Sequence, residues 1–179
     1  MPSPLYLDLL ERRLRRLFHL CTALLTVKLT AFTDYSLRVL IYLAAHPGKK
    51  ATIAEITRAF GVSEHHLVKV VHFLGKKGWI TTVRGKGGGM TLATSAQAIC
   101  VGRVVRDTEG LLEPAECFES GGGHCAIGGC CGLKGVLAEA VQAFYAVLDR
   151  YTLADVTRNQ EALAQVLDFY RTLPAPQMA

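Results

Sequence analysis

The sequence predicts a mainly α-helical fold with one small β-hairpin, on three observations. Apolar residues recur at helical spacing from Thr33 onward. One glycine-rich turn, "RGKGGG", separates two short β-type runs. A long helix with a heptad-like seam then follows a cysteine-rich loop. With 179 residues, half of them hydrophobic, the chain can bury a core of ordinary domain size. Composition and pattern divide it into an N-terminal extension (1–26), a first domain (27–94), a linking helix with the cysteine loop (95–131), and a long helix with a helical tail (132–179).

In chain order, residues 1–26 are arginine-rich, with leucines at loosely helical spacing and a poor helix start at Pro2 and Pro4. From Thr33, "TDYSLRVLIYLAAH" places Leu37, Leu40, Ile41 and Ala44 on one face, with Thr33 or Asp34 as cap. "ATIAEITRAFGVSEHHLVKVVHFLGKKG" then predicts two short helices joined at "FGVS". Ile53, Ile56 and Phe60 lie inside the first, and Leu67, Val70, Val71 and Leu74 inside the second. Gly61 supplies the turn and Ser63 the second cap, a helix-turn-helix arrangement. In "WITTVRGKGGGMTLA", Ile80, Thr82 and Arg84 alternate with Thr81 and Val83, and Met90 to Ala93 form the return strand. A hairpin in this place is a wing, so the class is a winged helix-turn-helix plus a pairing helix.

"AICVGRVVRDTEG" reads as the linking helix. Beyond the cysteine loop, Leu133, Leu137, Ala140, Phe144, Val147 and Tyr151 form an a/d seam. A seam of that length points to a homodimer; the alternative is packing within one chain. "TLADVTRNQEALAQVLDFY" adds further helical turns.

Charge is distributed unevenly. Residues 27–94 carry ten Lys/Arg against three Asp/Glu, residues 95–179 six against ten, and the net for the chain is +5. A basic front and an acidic back suit an anionic partner such as double-stranded DNA at one end only. Ser63, His65, His66 and Lys69 occupy the start of the second short helix, the end that meets base edges in such folds. Lys69, Lys76 and Lys77 are candidates for phosphate, and Arg84 and Lys86 on the wing for the minor groove or its phosphates. Adjacent histidines on a helix diverge by about 100°, so His65 and His66 make poor co-ligands of a metal. The pattern holds no paired-carboxylate arrangement, nucleophile elbow or known phosphate loop, so no enzyme is expected.

Six cysteines in a secreted protein would suggest disulfides. The apolar run "LFHLCTALLTV" is interrupted by His19, lacks a clean cleavage site and is too short to span a membrane. A cytoplasmic protein without membrane attachment is therefore expected, and its clustered thiols read as metal or redox groups. Four of them lie in "CFESGGGHCAIGGCCGLK": Cys117, Cys125, Cys130 and Cys131. Zinc knuckles would show C-x₂-C pairs, and none occur. Cys130 and Cys131 are neighbours whose side chains point apart, so three cysteines and a fourth group from elsewhere are the expected ligands. Glycines at 121–123, 128, 129 and 132 let the backbone wrap a bulky inorganic core. An iron–sulfur cluster suits this better than zinc.

Together, "LTAFTDYSLRVLIYLA", "GVSEHHLVKVVHFLGKKGWITTVRGKGGGMTLA" and "HCAIGGCCGLKGVLAEAVQAFYAVLDRYTLADV" resemble the nitric-oxide-sensing repressors of the winged-helix iron–sulfur family of transcriptional regulators. The resemblance covers about residues 27–157. It implies a homodimer that binds operator DNA with its cluster intact and releases it when nitric oxide nitrosylates the cluster. It implies Cys117, Cys125 and Cys131 as ligands, Cys131 opening the "CGLK" run and Cys130 an extra thiol that is the alternative third ligand. It also implies Asp34, in the "FTD" run, as a fourth ligand donated by the other subunit, with Arg38 one turn later supporting it. The competing role for Asp34 is a plain helix cap. Three cysteines and an aspartate suit a 4Fe–4S cluster; a 2Fe–2S form is the alternative. A sister branch that regulates cluster assembly places a His three residues after the last Cys, where this chain has Lys134. His124 is a lesser alternative ligand.

The resemblance begins near Val27–Lys28, so residues 1–26 are expected to be an over-extension of the reading frame. Cys21 then has no role, and Cys100 is expected to be a buried thiol. Two further readings compete: a regulator of the same family that senses iron or general oxidation, and a non-regulatory iron–sulfur redox protein.

Overall fold

The computed structural model describes residues 28–110, 112–118, 125–128 and 130–172. The extension 1–26, Cys21 and His124 lie outside the described residues.

Helix α1 (Ala31–Ala45) is the hub of the core. Thr30, in extended conformation, caps it by accepting a hydrogen bond from Thr33 N at 3.3 Å. The cap therefore lies three residues before the expected Thr33 and four before Asp34. Thr33 is instead turned inward and fully buried, its hydroxyl donating to Thr108 Oγ1 at 2.8 Å. Leu40 and Ala44 are buried as the periodicity required, with Leu37 and Ile41 partly buried beside them. Val39, Tyr42 and Leu43 are buried too, so α1 is enclosed on most of its circumference.

Helix α2 (Ile53–Phe60) opens with a reciprocal capping box between Thr52 and Glu55 and ends at Gly61, which adopts φ 61°. Helix α3 (Glu64–Lys76) follows. Ser63 stands at its N-cap position but makes no side-chain cap bond. Leu67, Val70, Val71 and Leu74 face inward, as expected.

Strands β1 (Ile80–Val83) and β2 (Gly89–Leu92) pair antiparallel, with Ile80 opposite Leu92 and Val83 opposite Gly89. The return strand thus begins one residue before Met90 and ends one before Ala93. The cause is an additional pairing. Ala51 and Met90 exchange both backbone hydrogen bonds, at 3.0 and 2.7 Å, which draws β2 against the segment leading into α2. Gly89, at φ 154°, fits there because a Cβ would stand 2.9 Å from the Ala51 carbonyl oxygen. Ile80 and Met90 enter the core, whereas Thr81, Thr82 and Val83 stay exposed. The hairpin is anchored at its base and free at its tip.

Helix α4 (Val101–Glu109) leads to the cysteine loop, and α5 (Leu133–Leu148) leaves it. Val101 and Val105 of α4 pack with Tyr145 of α5 in a second small core. The chain then turns. Tyr151 lies beyond the end of α5, because its carbonyl accepts from Val101 N at 2.9 Å in a short bridge between Cys100 and Thr152. The expected seam accordingly stops at Val147. Cys100 is half-buried rather than buried, with its Sγ 3.7 Å from the Asp149 carbonyl oxygen. Helix α6 (Leu153–Val156) carries the capping box Thr152/Asp155. Helix α7 (Gln160–Thr172) returns to the first domain, where Leu167 is buried, Gln160 Nε2 donates to Ala44 O at 3.1 Å and Arg171 pairs with Glu55 at 3.1 Å. Among the described residues no helix is long and apolar enough to cross a membrane.

Candidate functional site

Burying Leu67, Val70, Val71 and Leu74 leaves the other side of α3 in solvent. Ser63, His65, His66, Lys69 and Lys76 are all exposed there, and Arg84 and Lys86 are exposed at the wing. His66 lies 6.0 Å from Tyr35 of α1, ring to ring. The sequence pattern passed over Lys50, which is exposed and reaches the wing, its Nζ 3.5 Å from Gly87 O. Lys77 differs from the other cations. Its Nζ is 2.9 Å from Asp107 Oδ1 on α4, and it lies over the Phe73 ring.

The last turn of α4 carries contacts that periodicity did not single out. Arg106 meets Asp149 in a two-pronged pair, both N···O distances being 2.6 Å, and its guanidinium stacks on Tyr145. Hydrogen bonding to Arg106 holds the Asp149 carboxyl below its ordinary range and the Arg106 guanidinium above its own. Burial pushes the Tyr145 phenol up. Asp107 takes Lys77 on one oxygen and the Trp79 indole N–H on the other, at 3.0 Å. Thr108 bonds to Thr33, and Glu109 accepts from Thr30 N at 2.7 Å. Gly102 permits this packing: a Cβ there would run into the Asp149 side chain. These partners lie 28 to 79 positions away along the chain, so spacing alone cannot reveal them.

The first cysteine of the loop, Cys117, follows the end of α4 by eight residues. Cys117 is half-buried in a short 3₁₀ turn (Glu116–Phe118), and Cys125 and Cys130 are exposed with Cys131 half-buried. None is in a disulfide. Cys125 heads a turn closed by Gly128 N to Cys125 O at 3.0 Å, and the amides of Cys130 and Cys131 both donate to Ile127 O. Lys134, in the first turn of α5, lies over the ring of Phe118 and so joins the two ends of the loop. Asp34 pairs with Arg38 at 2.8 Å, both about two-fifths exposed, and Arg38 also lies over the Tyr35 and Phe60 rings. Asp34 is thus the acidic residue of the first helical turn, not its cap.

The donor set fits a thiophilic inorganic group in kind: four free thiols, two exposed and two half-buried, carried on short turns. Within one chain, among the described residues, no three Cys, His, Asp or Glu side chains converge as a metal site.

The Rrf2 family, described as an iron-dependent transcriptional regulator, matches residues 29–159. The chain belongs to this family. The Rrf2 protein described here is 46% identical over 142 residues to the HTH-type transcriptional regulator NsrR of Bacillus subtilis (strain 168), covering 79% of this chain and 97% of that one. The NsrR regulator of Geobacillus kaustophilus (strain HTA426) is 45% identical with the same coverage. Among solved structures, T. potens IscR has a TM-score of 0.61 at 28% identity, covering 76% of this chain and 90% of that one. CymR, the global cysteine regulator of B. subtilis, has a TM-score of 0.58 at 28% identity, covering 75% and 98%. The winged-helix reading and the resemblance drawn from sequence both hold. These relatives are regulators of transcription and not enzymes, and this Rrf2 protein is one of them.

Proposed function

We propose that this Rrf2 protein is a transcriptional repressor of NsrR type. It works as a homodimer on double-stranded operator DNA, carries an iron–sulfur cluster in the cysteine loop, and leaves the DNA on exposure to nitric oxide. The observation that carries this reading is the placement of free thiols. They lie in the loop that directly follows α4, the helix fastened to both α1 and α3 of the winged domain.

Cys117, Cys125 and Cys131 hold the cluster, with Cys130 as the alternative third thiol and Asp34 of the second copy as the fourth ligand. A 4Fe–4S form suits that set and a 2Fe–2S form is the alternative. When bound, the cluster supplies iron that reacts with nitric oxide. Arg38, paired with Asp34, would hold that carboxylate in place, and Asp34, in the first turn of α1, would tie the start of that helix to the loop of the other copy. Ser63, His65, His66 and Lys69 read the major groove. Lys76, Lys77, Arg84 and Lys86 neutralise phosphate or enter the minor groove. Helix α5 supplies the dimer contact, since Leu133, Val136 and Val147 on it are 58, 62 and 45% exposed in the single chain.

Iron and acid-labile sulfide analysis of anaerobically purified protein tests the cofactor, with gel-shift on the protein's own promoter before and after chelation. The reading predicts iron and sulfide together, and DNA binding lost on chelation. Zinc alone, or binding indifferent to the metal, would contradict it. The family's iron-dependent description favours a second reading, in which iron supply is the signal. DNA release on iron limitation, with no response to nitric oxide, would select that one.

A further inference from the structure

Four consecutive residues in the last turn of α4 tie to three different elements. Arg106 is fastened to Asp149 after α5, Asp107 to Lys77 and Trp79 of the α3–wing junction, and Thr108 and Glu109 to the start of α1. Successive helical residues diverge by about 100°, so one turn can face several neighbours only where it is wedged among them. Asp107 is the sole member of this turn that reaches the DNA-reading side. Its two oxygens do separate tasks: Oδ1 meets the ammonium that follows α3, and Oδ2 accepts from the indole that opens β1. Arg103, one turn earlier on α4, lies over the same indole at 5.6 Å. Trp79 is itself buried, and its backbone N–H donates to Leu74 O at 2.9 Å, so fixing the indole fixes the end of α3.

We propose that Asp107 is a positioning residue for DNA binding. It sets the orientation of α3 and the wing from α4, so that a change in the cysteine loop beyond α4 is felt at the DNA-facing surface. This rests on the DNA-binding reading above and adds to it, beside the Asp34 contact at the start of α1, a second route between loop and recognition helix. The contact with Lys77 gives the proposal an opposite alternative. Were Asp107 merely neutralising a phosphate-binding lysine, its removal would strengthen DNA binding.

Trp79 is the only tryptophan in the chain, so its emission maximum reports this junction without a label. The test uses the full chain as purified anaerobically, in wild-type form and as Asp107→Leu and Asp107→Asn. Asp107→Leu is expected to shift the emission maximum and to weaken binding to promoter DNA roughly tenfold, while melting as a folded protein. Asp107→Asn keeps an oxygen for the indole and should restore most of both. Tighter binding, or unchanged binding, by a folded Asp107→Leu would overturn the proposal.

A second arm needs no DNA. Cys125→Ser with Cys131→Ser is expected to shift Trp79 emission in the wild-type background and not in the Asp107→Leu background. A shift of equal size in both backgrounds, or in neither, would overturn the coupling. If the wild-type protein binds no promoter DNA, the DNA-binding reading fails on its own, and this arm still decides whether Asp107 links loop and junction.

Discussion

Helices α3 and α5 are built from similar apolar material and finish in opposite conditions. Helix α3 buries Leu67, Val70, Val71 and Leu74 against its own domain, whereas α5 buries only Tyr145 and leaves Leu133, Val136 and Val147 in solvent. The difference separates an apolar stripe buried within the chain from one left exposed on it. The winged domain has its core and latches in place, with α1 and α2 capped by Thr30 and Thr52. On the proposed reading, the exposed α5 face and the free thiols beside it would take their partners, a second copy and a metal cluster, from outside a single chain.

The sharpest way to break this contrast is to damage each helix in turn. Leu74→Ala, at a fully buried site, should lower unfolding free energy by about 2–5 kcal/mol in denaturant titration. Val136→Asp should leave the helical circular dichroism intact and convert the protein to monomer in sedimentation. A dimer that survives Val136→Asp would place the pairing surface elsewhere. At the joint between the two regions, Gly102→Ala forces a methyl group onto Asp149. It should cost about 1–3 kcal/mol by the same titration, with the Arg106–Asp149 pair disrupted. Within the winged domain, Thr52→Ala removes a cap and should cost about 1 kcal/mol.

Acid sharpens the contrast with the smallest effect. Asp149 is lowered by its bonds to Arg106. Glu55 is raised by burial but brought below its ordinary value by Thr52 and Arg171. Both carboxyls bind protons more weakly when folded than when unfolded. Their contribution is complete above the ordinary carboxylate range and is lost as pH falls through the lowered values. Melting temperature should therefore hold near neutrality and drop below the ordinary values of 3.8 and 4.5 for the two groups. The drop should be shallower in Asp149→Asn.

Local chemistry made much of the fold legible. Helical spacing located α1 to α3, Gly61 marked the turn, and the glycine run marked the wing. The cap of α1 is ambiguous in sequence because Thr30, Thr33 and Asp34 are all competent caps, and only burial of Thr33 against Thr108 decides among them. The spacing of the α5 seam runs on to Tyr151 because sequence does not show the bridge to Val101 that ends the helix. Composition alone singled out the thiols. The latch from Arg106 to Glu109 left no such trace, since a polar run at the end of a helix reads as a solvated terminus until its distant partners are known.

On the proposed function, one chemical event in the cysteine loop governs DNA binding. The most direct test is an anaerobic titration with nitric oxide, following visible absorbance and promoter gel-shift on the same samples. A coloured protein is expected, its absorbance bleaching in step with release of the DNA. A colourless protein, or one that bleaches while holding its DNA, would contradict it.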